Sequence, residues 1–194
     1  HSRPLQVVIL AAGQGTRMRS GLPKVLHPIA GQAMVRHVIA AAAALNSQKT
    51  VVVVGHGAPV VESALADAGV QFALQSPQLG TGHAVQMALP VLQPLSKDGQ
   101  ILILYGDVPL IQPTTLKALL QAAGDGVGLV TQHLQNPTGY GRIVRDAAGN
   151  VLCNVEEKDA TDAQRKITEV NTGILCLPAA HVQSWLAALS NNNA

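Results

Sequence analysis

The chain has 194 residues, 47% hydrophobic and 12% charged, with a mean hydropathy of +0.24, which suits one substantial core and excludes a disordered tail or a solvated coiled coil. Four aromatics (Phe72, Tyr105, Tyr140 and Trp185) are too few for the stacking platform of a single-stranded nucleic-acid binder. The net charge of +2 is uneven: no acid precedes Glu62, while Arg3, Arg17, Arg19, Lys24, Arg36 and Lys49 do, which signals either an anionic ligand held near the start or a surface imbalance without consequence.

In chain order, Leu5–Leu10 (LQVVIL) is a short apolar run rich in β-branched residues, and Val51–Val54 (VVVV) and Ile101–Leu104 (ILIL) are of the same kind. Runs of this length suit strands buried on both faces of a parallel sheet. Between them lie helical patterns: an alanine-rich stretch over Met34–Leu45, and a face of Val60, Val61, Ala64, Leu65 and Ala68 with Gly69 as its stop. Gln78-Leu79-Gly80-Thr81-Gly82-His83 begins another helix, where amide and hydroxyl groups read a base edge or Thr81 caps the helix. Pro113 opens a further helix, lined inside by Leu116, Leu119, Leu120 and Ala123 and closed by Gly124. Strand–helix alternation over the first 130 residues predicts a doubly wound, mostly parallel α/β sheet. Beyond Gly126, Gly141–Arg145 and Val151–Val155 predict a hairpin turned by Asp146–Gly149, followed by a strand over Asn171–Leu177 and a helix over Ala179–Leu189. With no repeat and no linker, the chain reads as one mixed α/β domain over 1–194, cut short at its C-terminal end.

The strongest local feature is the turn after the first strand, Leu10-Ala11-Ala12-Gly13-Gln14-Gly15-Thr16-Arg17-Met18, with a basic stretch to Lys24. Glycines let backbone N–H groups face phosphate oxygens. The dinucleotide pattern GxGxxG fails, because Met18 stands where a small residue is needed, and no Gly-Lys pair supports a P-loop. There remains either a turn carrying its own cations, Arg17 and Lys24, suited to a triphosphate, or a tight βα turn with surface bases. Asp107, in Tyr105-Gly106-Asp107-Val108-Pro109, follows the third buried strand. Ligands in open α/β sheets bind outside the carboxyl ends of strands, so this carboxylate either holds Mg²⁺ beside the glycine turn or makes an Asx turn.

Several chemistries are excluded. The seven histidines lack HExxH spacing, no GxSxG occurs, and Cys153 and Cys176 form no CxxC. Covalent catalysis has no candidate. The longest uncharged stretch, 68–96, is broken by Gln, Gly, Pro and His, and the first apolar run is too short for a signal-peptide core, so a cytoplasmic protein is expected.

Six motifs together, LAAGQGTRMRSGLPKVLHPIAG (10–31), QLGTGHA (78–84), LYGDVPLI (104–111), NPTGYGRIVR (136–145), EEKDAT (156–161) and EVNTGIL (169–175), resemble the pyrophosphorylase domain of bacterial bifunctional N-acetylglucosamine-1-phosphate uridyltransferases. The resemblance implies Mg²⁺-dependent conversion of UTP and N-acetylglucosamine 1-phosphate to UDP-N-acetylglucosamine and pyrophosphate, feeding peptidoglycan and lipopolysaccharide synthesis. It implies that the backbone of Leu10, Ala11, Ala12, Gly13 and Gly15 holds the nucleotide, with base contacts from Gln75, Gly80 and Thr81. Arg17 and Lys24 would neutralise phosphates, Asp107 would bind the metal, and Tyr105 and Gly106 would line the site. Gly141, Glu156 and Asn171 would hold the amino sugar, with Glu157 the competitor of Glu156. It also implies a second metal ligand, and an acetyltransferase β-helix that drives trimer formation, beyond these residues, and hence low activity of the 194 residues alone. No nucleic-acid or membrane partner is expected. Alternatives are a nucleotidyltransferase for another sugar or base, or an inactive sugar-nucleotide sensor.

Overall fold

The computed structural model describes residues 3–13 and 21–192, the side chains of 188–192 excepted. These residues cluster into two compact units where the sequence reads as one domain: 1–128 with 176–194, and 129–175.

In the first unit, β1 (Leu5–Leu10) is followed by a short hairpin of β2 (Pro28–Ile29) and β3 (Gln32–Ala33), then α1 (Met34–Ala43), β4 (Lys49–Val54), α2 (Ala58–Ala64), β5 (Gln71–Leu74), α3 (Thr81–Leu92), β6 (Gln100–Tyr105) and α4 (Pro113–Ala123). The strands lie in the order β5-β4-β1-β6, all parallel. Val7, Val8, Ile9, Val51–Val54, Ile101 and Leu102 are fully buried, as continuous apolar runs between covering helices require. Each such side chain contributes about 1.5–3 kcal/mol of transfer free energy.

The chain winds outward from β1 through β4 to β5, then returns across the sheet to β6 on the other side of β1. That reversal opens a crevice at the carboxyl ends of β1 and β6, where Leu10 pairs with Tyr105. Gly124, with φ of 51°, closes α4 as expected. The helix α2, by contrast, ends at Ala64 rather than near Gly69. Its chain continues in tighter turns, with Ala66 N–H on Ser63 O and Ala68 N–H on Leu65 O. Leu65 stays buried there, so the apolar spacing outlasts the α-helical bonding.

The second unit holds most of β7 (Gly128–His133), β8 (Arg142–Arg145), β9 (Val151–Val155), α5 (Asp162–Arg165) and most of β10 (Glu169–Pro178); α6 (Val182–Asn192) belongs to the first. β8 pairs antiparallel with β9 and β10, and β7 pairs with β10, so the sheet is mixed. The predicted hairpin turn forms because Asp146 Oδ1 accepts the N–H groups of Ala148 and Asn150, both at 2.9 Å. A reciprocal pair between Thr161 and Gln164 caps α5. No helix among the described residues is long and apolar enough to cross a membrane.

Candidate nucleotide and sugar site

A cavity of about 420 Å³ occupies the crevice at the sheet reversal. Leu10, Ala11, Ala12 and Gly13 line it from the end of β1, Lys24 and Val25 from the following turn, and Tyr105 and Asp107 from the end of β6. The segment leading into α3 adds Gln75, Gln78, Gly80 and Thr81. Of the ten expected nucleotide positions with described coordinates, nine line this wall. Gly106 is the exception: its N–H goes to Leu10 O, and a Cβ there would stand 3.1 Å from Val25 Cγ1, so it supports the floor. Gly15 and Arg17 lie outside the described residues.

Local structure explains the placement of each group. Ala11 N–H is engaged by Val53 O, which ties the start of the glycine turn to β4. Gly55 permits this wall to close, because a Cβ there would meet Ala12 Cβ and Gln75 O at 3.0 Å each. Lys24 begins a 3₁₀ turn (Lys24–Leu26) pinned by buried Val25 and Leu26. Its Nζ lies 3.3 Å from Asp107 Oδ2, with both side chains about 40% exposed. So exposed a pair is worth about 0–1 kcal/mol to the fold, which leaves both charges available to a ligand. No three His, Cys, Asp or Glu side chains converge among the described residues. Asp107 thus offers the cavity a single carboxylate, which would fit a hard cation that takes its remaining ligands from phosphates and water.

Gln75 is 5% exposed, and its N–H is held by Val54 O. Its Nε2 reaches Gly80 O at 3.0 Å and His83 Nδ1 at 3.1 Å. Gly80 itself is the N-cap of α3, and Thr81 is the first helical residue without a capping bond, so the capping reading of Thr81 does not hold.

Gly141, Glu156 and Asn171 come together within the second unit. Asn171 N–H donates to Gly141 O at 2.9 Å. A Cβ at Gly141 would collide with the Asn154 amide, which donates to Glu156 Oε1 at 2.9 Å. Asn171 Oδ1 accepts Gly173 N–H, so its NH₂ remains as a donor. Glu157 is engaged instead: Arg142, 1% exposed, pairs with it at 2.6 Å and holds its carboxyl below the usual range. Glu156, whose Oε1 accepts the neutral Asn154 amide, makes no ion pair among the described residues and is the less engaged of the two carboxylates. Asn154 lies outside every motif, and Arg142, although inside NPTGYGRIVR (136–145), carries no expected role there. Both cysteines are free, and burial pushes the Cys176 thiol up to about 11, so it is no nucleophile.

Residues 7–170, spanning the glycine turn, Asp107 and Glu156, match the MobA-like NTP transferase domain. The chain belongs to that family. Among curated relatives of this NTP transferase domain, it is 58% identical over 191 residues to the "Bifunctional protein GlmU" of Paraburkholderia phymatum and 57% identical to that of Pseudomonas entomophila. In both cases 98% of the chain is covered, but it spans only about two-fifths of the relatives' length. Among solved structures, a CMP:2-keto-3-deoxy-manno-octonic acid synthetase complexed with CTP superposes with a TM-score of 0.69 over 94% of this chain and 77% of its own. At 21% identity that likeness establishes the fold alone. The family match makes the chain an NTP transferase domain.

Proposed function

We propose that the chain transfers a uridylyl group from UTP to N-acetylglucosamine 1-phosphate, releasing pyrophosphate, with Mg²⁺ as cofactor. The observation that carries this reading is that one cavity holds a glycine turn, the Lys24–Asp107 pair and the Gln75 amide. With Nε2 turned to Gly80 O, Gln75 presents Oε1, which has no partner among the described residues. An acceptor there complements the N3–H donor of uracil and opposes the N3 acceptor of cytosine. The name GlmU carried by the relatives supports UDP-N-acetylglucosamine as the product.

In this reading the sugar-phosphate oxygen attacks the α-phosphorus of UTP in line, the α–β bridging bond breaks, and pyrophosphate leaves. No protein nucleophile is needed. Lys24 neutralises phosphate charge, joined by Arg17 from the adjoining segment, and the Gly13 turn offers amides to phosphate oxygens. Mg²⁺, held by Asp107, supplies further positive charge to the phosphates when bound. Asn171 and Glu156 offer one donor and one acceptor to sugar hydroxyl or amide groups.

The test is pyrophosphate release with UTP, CTP, GTP or dTTP against N-acetylglucosamine 1-phosphate or glucose 1-phosphate. The highest kcat/KM is expected for UTP with the acetylated amino sugar, and none without a divalent ion. Equal or faster turnover with another base, or indifference to the N-acetyl group, would overturn the reading.

A further inference from the structure

We infer that His83 is a specificity-positioning residue that makes the cavity select uracil over cytosine, by holding the Gln75 amide in one orientation. This rests on the uridylyl reading above.

Gly80 O can only accept, so the group 3.0 Å from it on Gln75 must be the NH₂. That amide nitrogen carries two hydrogens. One goes to Gly80 O, and the other to His83 Nδ1 at 3.1 Å, which therefore acts as the acceptor of a neutral ring protonated at Nε2. Both amide hydrogens are then consumed by protein, and only the carbonyl oxygen is left for the cavity. Cytosine, whose N3 needs a donor, finds none. Without His83, one N–H of Gln75 would be unsatisfied in a site only 5% exposed, and it could turn to the cavity and bond cytosine N3. His83 thus acts mainly against the wrong base, as specificity requires. Its place in the first turn of α3, three residues past the N-cap Gly80, binds the ring to the same loop that supplies the other acceptor.

UTP and CTP share ribose and triphosphate, so the ratio of their affinities isolates the base. Calorimetric titration of the full 194-residue chain with each nucleotide, in the presence of Mg²⁺, should give at least a tenfold preference for UTP. His83→Phe, which keeps the ring but lacks the acceptor, should cut that ratio about five- to tenfold, with CTP affinity held or improved. His83→Asn, whose Oδ1 restores an acceptor close to the Nδ1 position, should recover most of the preference. An unchanged ratio in His83→Phe, or equal weakening of both nucleotides, would overturn the role of His83 while leaving the uridylyl reading intact. A native chain that binds both nucleotides equally would instead overturn the uridylyl reading, and the inference with it.

Discussion

The ion pair that ties β8 to β10 makes a quantitative prediction for the stability of the second unit. Arg145 donates from Nε to Glu169 Oε1 at 2.6 Å and from its terminal nitrogen to Oε2 at 2.9 Å, and Thr131 adds a third bond at 2.8 Å. Chiefly through the Arg145 bond, the Glu169 carboxyl is pulled from 4.5 down to about 2, although burial alone would raise it. Favouring the charged form to that degree corresponds to roughly 3 kcal/mol. Glu169 is 9% exposed, but the Arg145 side chain is 41% exposed, and screening by water on that side trims the figure to about 2 kcal/mol. Because the folded value is depressed, the stabilisation is complete above pH 4.5 and is lost as pH falls toward 2. Glu169→Gln, uncharged at every pH, should therefore destabilise at pH 7 and not at pH 2. The assay is urea unfolding of both proteins across that range, followed by far-UV circular dichroism, with amide exchange in β8 and β10 to localise the loss. A midpoint difference of about 1 M urea at neutral pH is expected, shrinking through the acid range. Equal midpoints at pH 7, or a gap that does not change with pH, would refute the reasoning.

Removing the Lys24 charge should slow pyrophosphate release about 10²–10³-fold, the usual cost of one preorganised charge contact, which Lys24→Ala measured by steady-state kinetics checks. In Asp107→Asn, UTP binding should lose its dependence on Mg²⁺, while metal-free affinity stays level or rises because Lys24 is released from its partner; calorimetry with and without the ion reads this. Gly141→Ala pushes aside the Asn154 amide and, through it, Glu156, so KM for the sugar phosphate should rise several-fold with UTP affinity unchanged.

The buried strands are legible because composition alone dictates them: LQVVIL, VVVV and ILIL have no polar face to solvate, and β1, β4 and β6 form around them. The cavity wall is legible too, since the end of β1 and Asp107 after β6 meet wherever a doubly wound sheet reverses. What escapes is whatever depends on side-chain packing. β5 (QFAL) is too short and mixed to announce itself, and it forms only as a parallel neighbour of β4. The Gln75–His83 bond links residues eight apart across a loop and a helix start, with no period to mark it. Glu156 and Glu157 are equivalent as letters. Only the ion pair that buried Arg142 makes with Glu157 separates it from Glu156, which meets the neutral Asn154 amide instead. The division into two units is equally hidden, because β10 runs through both without a break.

The most direct measurement is a crystal of the chain soaked with UTP and Mn²⁺, read by anomalous scattering. The expected result is uracil against Gln75, the triphosphate on the Gly13 turn and Lys24, and a metal peak on the Asp107 carboxylate. A nucleotide bound outside the cavity, or a metal peak away from Asp107, would contradict the proposed chemistry.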